Sequence, residues 1–259
     1  MQFGMCNLSV VSVRKEPAHK SEMLTQLLFG EMFEILEKND EWAYIRMVYD
    51  KYEGWVDIKQ YLPISNETFT KLYNSTQSVT LDIVQILINE TKNNIIPVVL
   101  GSSLPFIENN FFFIENHKYI FEGNYMSSNE NSTGDKLVKN AFLYLDAPYL
   151  WGGRSPFGID CSGFVQMVYK LSNIKLLRDA SQQATQGSIV SFLSESLPGD
   201  LVFFDNEEGQ IVHVGIVINS NQIIHASGRV RIDTIDHEGI FNADIKSYTH
   251  KLRLIKRIL

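Results

Sequence analysis

The chain has 259 residues, 44% of them hydrophobic and 20% charged. That makeup fits an ordered globular protein long enough to bury at least one full core, and excludes general disorder or a coiled coil. With 23 basic against 30 acidic side chains the formal charge is −7, so no nucleic-acid footprint is expected. The two cysteines, Cys6 and Cys161, form neither a disulfide framework nor a four-cysteine zinc module and suit a reducing compartment.

The first residues, Met1 to Cys6, carry neither the basic region nor the apolar run of a secretory signal. This predicts a cytoplasmic protein if the start is native, and a periplasmic or extracellular one if a signal was trimmed. No uncharged apolar run approaches the ~20 residues of a membrane span, so no contact with a membrane is expected. Residues 1–130 hold 10 Lys and Arg against 17 Asp and Glu, while residues 131–259 hold 13 of each. The acidic excess therefore lies wholly in the N-terminal half, which suggests separate modules and favours a cationic ligand group such as a free amine.

In chain order, residues 1–63 read as short strands separated by turns, with Met32 to Leu36, Trp42 to Met47 and Gly54-Trp55-Val56 as the clearest, a small β-barrel pattern that closes before Pro63. Residues 64–126 repeat the theme less regularly, and Asp82 to Asn89 is read as a strand although its apolar residues fit both periods poorly. The polar run at 127–134 reads as a linker. Beyond it Leu137, Val138, Ala141, Phe142 and Leu145 share one face at helical spacing, ending before Pro148. A second apolar stripe from Phe164 to Leu171 follows Cys161. Strand patterns then take over at Leu201 to Phe204, Ile211 to Ile218, Gln222 to Ala226 and Leu252 to Ile258. Helices first and antiparallel strands after predict an α+β domain over 135–259.

The richest segment is Tyr149-Leu150-Trp151-Gly152-Gly153, then Asp160-Cys161-Ser162-Gly163-Phe164. A Gly-rich loop there runs into a helix whose first turn holds a thiol. The helix dipole and unpaired backbone N–H groups at that position favour thiolate and predict a lowered pKa, with Asp160 as N-cap and the N–H groups as part of an oxyanion hole. Downstream, His213 and His225 flank the turn-prone Asn219-Ser220-Asn221. A hairpin centred on Asn219 would set the two imidazoles opposite one another, Cβ atoms roughly 5 Å apart. His213 is then a candidate general base for Cys161, and His225 holds its tautomer. A zinc site built on the same three residues offers too few ligands without paired spacing, so no metal or cofactor is expected. His19, His117, His237 and His250 sit among polar residues and read as surface side chains.

These motifs, with Pro198-Gly199-Asp200-Leu201-Val202-Phe203-Phe204, His213-Val214-Gly215-Ile216 and Ile224-His225-Ala226, resemble the NlpC-type bacterial cell-wall cysteine peptidases, which have a papain-like fold. The resemblance implies cleavage of γ-D-glutamyl to diamino acid bonds in peptidoglycan stem peptides, with Cys161 as nucleophile, His213 as base, His225 as third polar residue and Tyr149 hydrogen-bonding near the nucleophile. The N-terminal part is similar to a bacterial SH3-like domain and residues 64–126 to a degenerate second copy. Such tandem domains resemble the peptide-recycling branch of the family, which acts on L-Ala-γ-D-Glu-diamino acid peptides with a free amine. That likeness implies that Glu22 and Tyr52 close the amine end of the cleft, with Asp160, Ser162 and Asp179 as further substrate-binding residues, in a monomer. Two alternatives compete: an endopeptidase or amidase acting on intact peptidoglycan, and a wall-binding protein with a vestigial catalytic domain.

Overall fold

A computed structural model describes residues 2–75, 77–126 and 132–259, and most of the expected linker at 127–134 lies outside the described residues. The chain divides into two compact units, Met1–Glu130 and Asn131–Leu259. Among the described residues no helix is long and apolar enough to cross a membrane.

The first unit opens with seven strands: β1 (Gln2–Met5), β2 (Val10–Arg14), β3 (Met23–Leu28), β4 (Met32–Lys38), β5 (Trp42–Met47), β6 (Glu53–Asp57) and β7 (Leu62–Ile64). They form one antiparallel sheet in the order β3-β2-β6-β5-β4-β1-β7. Alternation along β2 and β5 turns Val11, Val13, Ala43, Ile45 and Met47 inward around Phe33 and Val56. β7 runs through Pro63 and pairs with β1, since proline is tolerated on an edge strand. A helix, α1 (Asn66–Tyr73), capped by Ser65, then leads into β8 (Gln77–Thr80), β9 (Val84–Asn89), β10 (Asn94–Val99), β11 (Ser103–Pro105), β12 (Phe111–Ile114), β13 (His117–Phe121) and β14 (Tyr125–Met126). These make two small sheets, β10-β9-β13-β12 and β11-β8-β14. Residues 1–63 and 64–126 share a core in which Phe3, Met5, Phe29, Met32 and Ile64 pack with Leu72, Leu87, Phe112, Tyr119 and Phe121. Residues 1–63 thus hold a cluster of their own around Phe33 and share a second one with residues 64–126.

The second unit begins with α2 (Gly134–Phe142), capped by Thr133, a short hairpin of β15 (Arg154–Ser155) and β16 (Gly158–Ile159), and α3 (Cys161–Lys170). All ten residues of α3 are buried, as expected for a helix enclosed on every side. After α4 (Ala180–Gln183) come β17 (Ser188–Val190), β18 (Leu201–Asp205), β19 (Ile211–Asn219), β20 (Gln222–Ser227), β21 (Arg229–Ile235), β22 (Gly239–Asn242) and β23 (Ser247–Arg257). The sheet order is β17-β23-β18-β19-β20-β21-β22, and β22 also pairs with β23. Six strands therefore close on themselves, which removes two exposed edges. Val202, Phe204, Val217, Ile223, Ile235, Ile240 and Ile255 form one cluster of this core, while α3 packs against β19 and β20. Helices precede antiparallel strands here, as the pattern predicts. β21 and β22, however, lie where no strand is expected from the sequence.

Candidate active site

Cys161 occupies the first position of α3 and is 7% exposed. Asp160 builds that position. Its Oδ1 accepts from Gly163 N at 2.7 Å and its Oδ2 from Gly152 N at 2.8 Å. Arg178, 1% exposed, grips the same carboxylate with Nη1 to Oδ1 at 3.0 Å and Nη2 to Oδ2 at 2.6 Å. Gly152 has φ +76°, and a Cβ at Gly163 would lie 2.3 Å from the Gly153 carbonyl oxygen, so both glycines answer to geometry. Phe164 N bonds Asp160 O, so the cap uses the third and fourth N–H groups of the helix and leaves those of Cys161 and Ser162 for the reacting centre. With both oxygens engaged, Asp160 serves as a structural hub of the site. Ser162 is tied in as well, its Oγ accepting from Arg178 Nη1 at 2.9 Å.

On the sheet the two histidines are not directly opposed. The register pairs Gly215 with His225 and Val217 with Ile223, with an irregularity before Asn219 pairs with Gln222. The expected 213–225 pairing is therefore two residues out, because the turn falls at Ser220 and Asn221, beyond Asn219. His213 lies diagonally from His225, and Gly215 between them has no side chain; a Cβ there would meet His225 Cβ at 2.9 Å. Through that gap His213 Nε2 and His225 Nδ1 come to 2.8 Å. A second diagonal step reaches β21, where Asp233 Oδ2 lies 3.0 Å from His225 Nε2. Asp233 Oδ1 in turn accepts from Arg231 Nη2 at 2.9 Å. Burial opposes ionisation of Asp233, but hydrogen bonds from His225 and Arg231 outweigh it and hold the carboxyl below its usual range.

His250 is not the surface side chain that its polar neighbours suggest. It is half-buried, and its ring stacks on His213 with centroids 4.1 Å apart and planes at 27°. Phe204, directly paired with His213 across β18 and β19, contacts both rings. Neither Asp233 nor His250 has a motif to announce it. Asp233 was legible only as the polar member of Val230 to Ile235 once that segment is taken as a strand.

The electrostatics reverse one expectation. Burial, reinforced by the Asp160 carboxylate, pushes the Cys161 thiol up to about 12, despite N–H groups of Val214 and Ser162 and the Arg178 charge, all of which favour thiolate. Desolvation outweighs the helix terminus. Burial likewise depresses His213 well below the ordinary imidazole range, with His225 and His250 adding to the effect. Both shifts favour the uncharged forms, a thiol and a neutral imidazole. Since His213 Nε2 is taken by His225, Nδ1 is the nitrogen left for Cys161, and the Val214 N–H aimed at the sulfur shows that β19 borders the thiol. Tyr149, 36% exposed, has its hydroxyl pushed to about 12 by partial burial and by the nearby Cys161 and Asp160 charges.

Asp179 caps α4, its N–H donating to Gln182 Oε1 at 3.1 Å. Glu22 and Tyr52 belong to the first unit: Glu22 is exposed with Lys15 Nζ at 3.4 Å, and Tyr52 is half-buried against the barrel core. No group of three or more His, Cys, Asp or Glu among the described residues has the arrangement of a metal site.

A thiol at a helix start, beside a hydrogen-bonded imidazole pair on an antiparallel sheet, is an arrangement suited to thiol-dependent hydrolysis. Residues 146–248 match the NlpC/P60 family and residues 13–60 the bacterial dipeptidyl-peptidase SH3 domain. The chain carries an NlpC/P60 domain and a bacterial SH3 domain, and it is a hydrolase of the cysteine-endopeptidase class. It is 29% identical over 240 residues to the gamma-D-glutamyl-L-lysine dipeptidyl-peptidase of Bacillus subtilis (strain 168), covering 87% of this chain and 75% of that protein. It is 28% identical over 255 residues to dipeptidyl-peptidase 6 of Lysinibacillus sphaericus, covering 86% and 88%. An NlpC/P60 family protein from Bacillus cereus ATCC 10987, known from its crystal structure, shares the fold at TM-score 0.83 over 99% of both chains, with 21% identity.

Proposed function

We propose that this protein hydrolyses the γ-D-glutamyl to L-diamino acid bond of murein stem peptides, acting on free-amine L-Ala-γ-D-Glu-diamino acid peptides. The observation that carries the chemistry is the 2.8 Å contact of His213 and His225 beside a thiol at a capped helix start. As Cys161 Sγ attacks the γ-glutamyl carbonyl carbon, His213 Nδ1 takes the thiol proton. The oxyanion is received by N–H groups of the first turn of α3. His213 then returns the proton to the departing amine as the C–N bond breaks, leaving a thioester. Water, deprotonated by the same imidazole, hydrolyses it and regenerates the thiol.

The free-amine preference is supported by the acidic excess in residues 1–130 and by relatives named as dipeptidyl-peptidases. On this account Glu22 and Tyr52 are the residues for the substrate ammonium, Ser162 and Asp179 contribute to the acyl side, and residues 64–126 are a divergent SH3-like module that precedes a papain-like domain in the chain. Acetylating the substrate amine removes the charge that the acidic unit attracts, so kcat/KM should fall roughly 30-fold or more. Incubation with L-Ala-γ-D-Glu-diaminopimelate and L-Ala-γ-D-Glu-L-Lys peptides, free and N-acetylated, with products identified by mass spectrometry, tests this. Equal cleavage of both forms removes the amine pocket and leaves an endopeptidase of intact wall.

A further inference from the structure

Asp233 lies outside every motif that marks the site, yet it ends the chain of contacts that begins at His213. It is buried on β21, and an ionised carboxylate can only accept hydrogen bonds. The 3.0 Å contact to His225 Nε2 therefore requires the proton to sit on that nitrogen. A neutral imidazole carries one N–H, so His225 Nδ1 presents a lone pair. His213 Nε2, 2.8 Å away, must then be the donor, which leaves the lone pair of His213 on Nδ1.

We propose that Asp233 is a positioning residue that dictates, through two imidazoles in series, that Nδ1 of His213 is the basic nitrogen of the reaction. Arg231 steadies it. The guanidinium donates from Nη2 to Asp233 Oδ1 at 2.9 Å and to Asp244 Oδ2 at 2.9 Å, so the carboxylate is held at both oxygens. The diagonal geometry gives the chain its direction, since β19, β20 and β21 each contribute one member, displaced from the residue directly opposite. Asparagine at 233 keeps the size but can turn an N–H toward His225. The chain then runs the other way: His225 Nε2 accepts, His225 Nδ1–H donates to His213 Nε2, and His213 Nδ1 carries a proton and cannot take one from Cys161.

The role of Asp233 in turnover rests on the proposed function; the proton positions do not, and they are measured without substrate. In ¹⁵N-histidine-labelled wild-type protein, the ring nitrogens of His213 and His225 should both show Nε2–H and unprotonated Nδ1. Asp233→Asn should move both protons to Nδ1 and lower kcat at least about 100-fold, toward the roughly 10⁴-fold of a triad held in the wrong tautomer, with little change in KM. A proton on Nδ1 of wild-type His213 overturns the assignment without any variant having to fold, and so does an Asp233→Asn enzyme with wild-type turnover. Wild-type protein that shows the expected protons but cleaves none of the stem peptides counts against the proposed substrate alone and leaves the assignment standing.

Discussion

Replacing Arg178 by methionine keeps an unbranched apolar stem and removes the guanidinium with its charge, which isolates the buried ion pair with Asp160. Arg178 makes three hydrogen bonds of 3.0 Å or less, two to the Asp160 carboxylate and one to Ser162 Oγ, at 1% exposure. Removing one partner of a buried pair typically costs about 3 to 5 kcal/mol, because the other charge is stranded. Asp160 retains its bonds from Gly152 N and Gly163 N, which places the expected loss near the lower end, about 3 kcal/mol. For a unit of this size that is roughly a 10 to 15 °C fall in unfolding midpoint. Each unit carries one buried cysteine, Cys6 in the first and Cys161 in the second. Thermal pulse alkylation with mass-spectrometric localisation therefore reads the units separately, and the loss should appear at Cys161, with Cys6 as internal reference. Arg178→Lys, which keeps the charge without the two-pronged fork, should lose about half as much. A Cys161 midpoint within about 3 °C of wild type in Arg178→Met would refute the assignment of Arg178 as the brace of the nucleophile's helix.

Cys161→Ala should cut peptide hydrolysis on the order of 10⁴-fold while leaving the unfolding midpoint nearly unchanged, as followed by product mass spectrometry and calorimetry. Because burial raises the thiol and depresses His213, the neutral pair should persist over a wide range. kcat/KM should therefore stay flat across neutral pH and fall on the acid side only as pH drops well below 6.5, with iodoacetamide reacting more slowly than with a free thiol at pH 8; thiolate-like alkylation at pH 6 would contradict this. Burial, aided by repulsion from His225, holds His250 down at about 4. The unfolded chain binds a proton near pH 6.5 that the folded protein refuses, so stability is complete above that value and declines toward pH 4. His250→Phe should keep the stack on His213 and flatten that decline, worth on the order of 2 kcal/mol after solvent screening, in urea titrations at pH 7 and 4.5. Gly163→Ala should lower kcat/KM at least about 10-fold, since the added Cβ meets the Gly153 carbonyl at 2.3 Å and shifts the thiol.

The features legible in the chain alone are local. Asp160 before Cys161 at the start of an apolar run specifies a capped helix with the thiol in its first turn, because cap preference and periodicity act within one turn. The strand patterns around His213 and His225 likewise announce a hairpin, because alternation is a short-range signal. What those residues face depends on long-range packing. The register that puts Gly215, not His213, opposite His225 depends on an irregularity near Asn219 that no alternation reveals. Asp233 and His250 enter the site because β21 lies beside β20 and because β23 pairs with both β22 and β18. The thiol's pKa departs from the expected direction for the same reason: a helix terminus can be seen in sequence, whereas the desolvation that outweighs it comes from packing by residues distant along the chain.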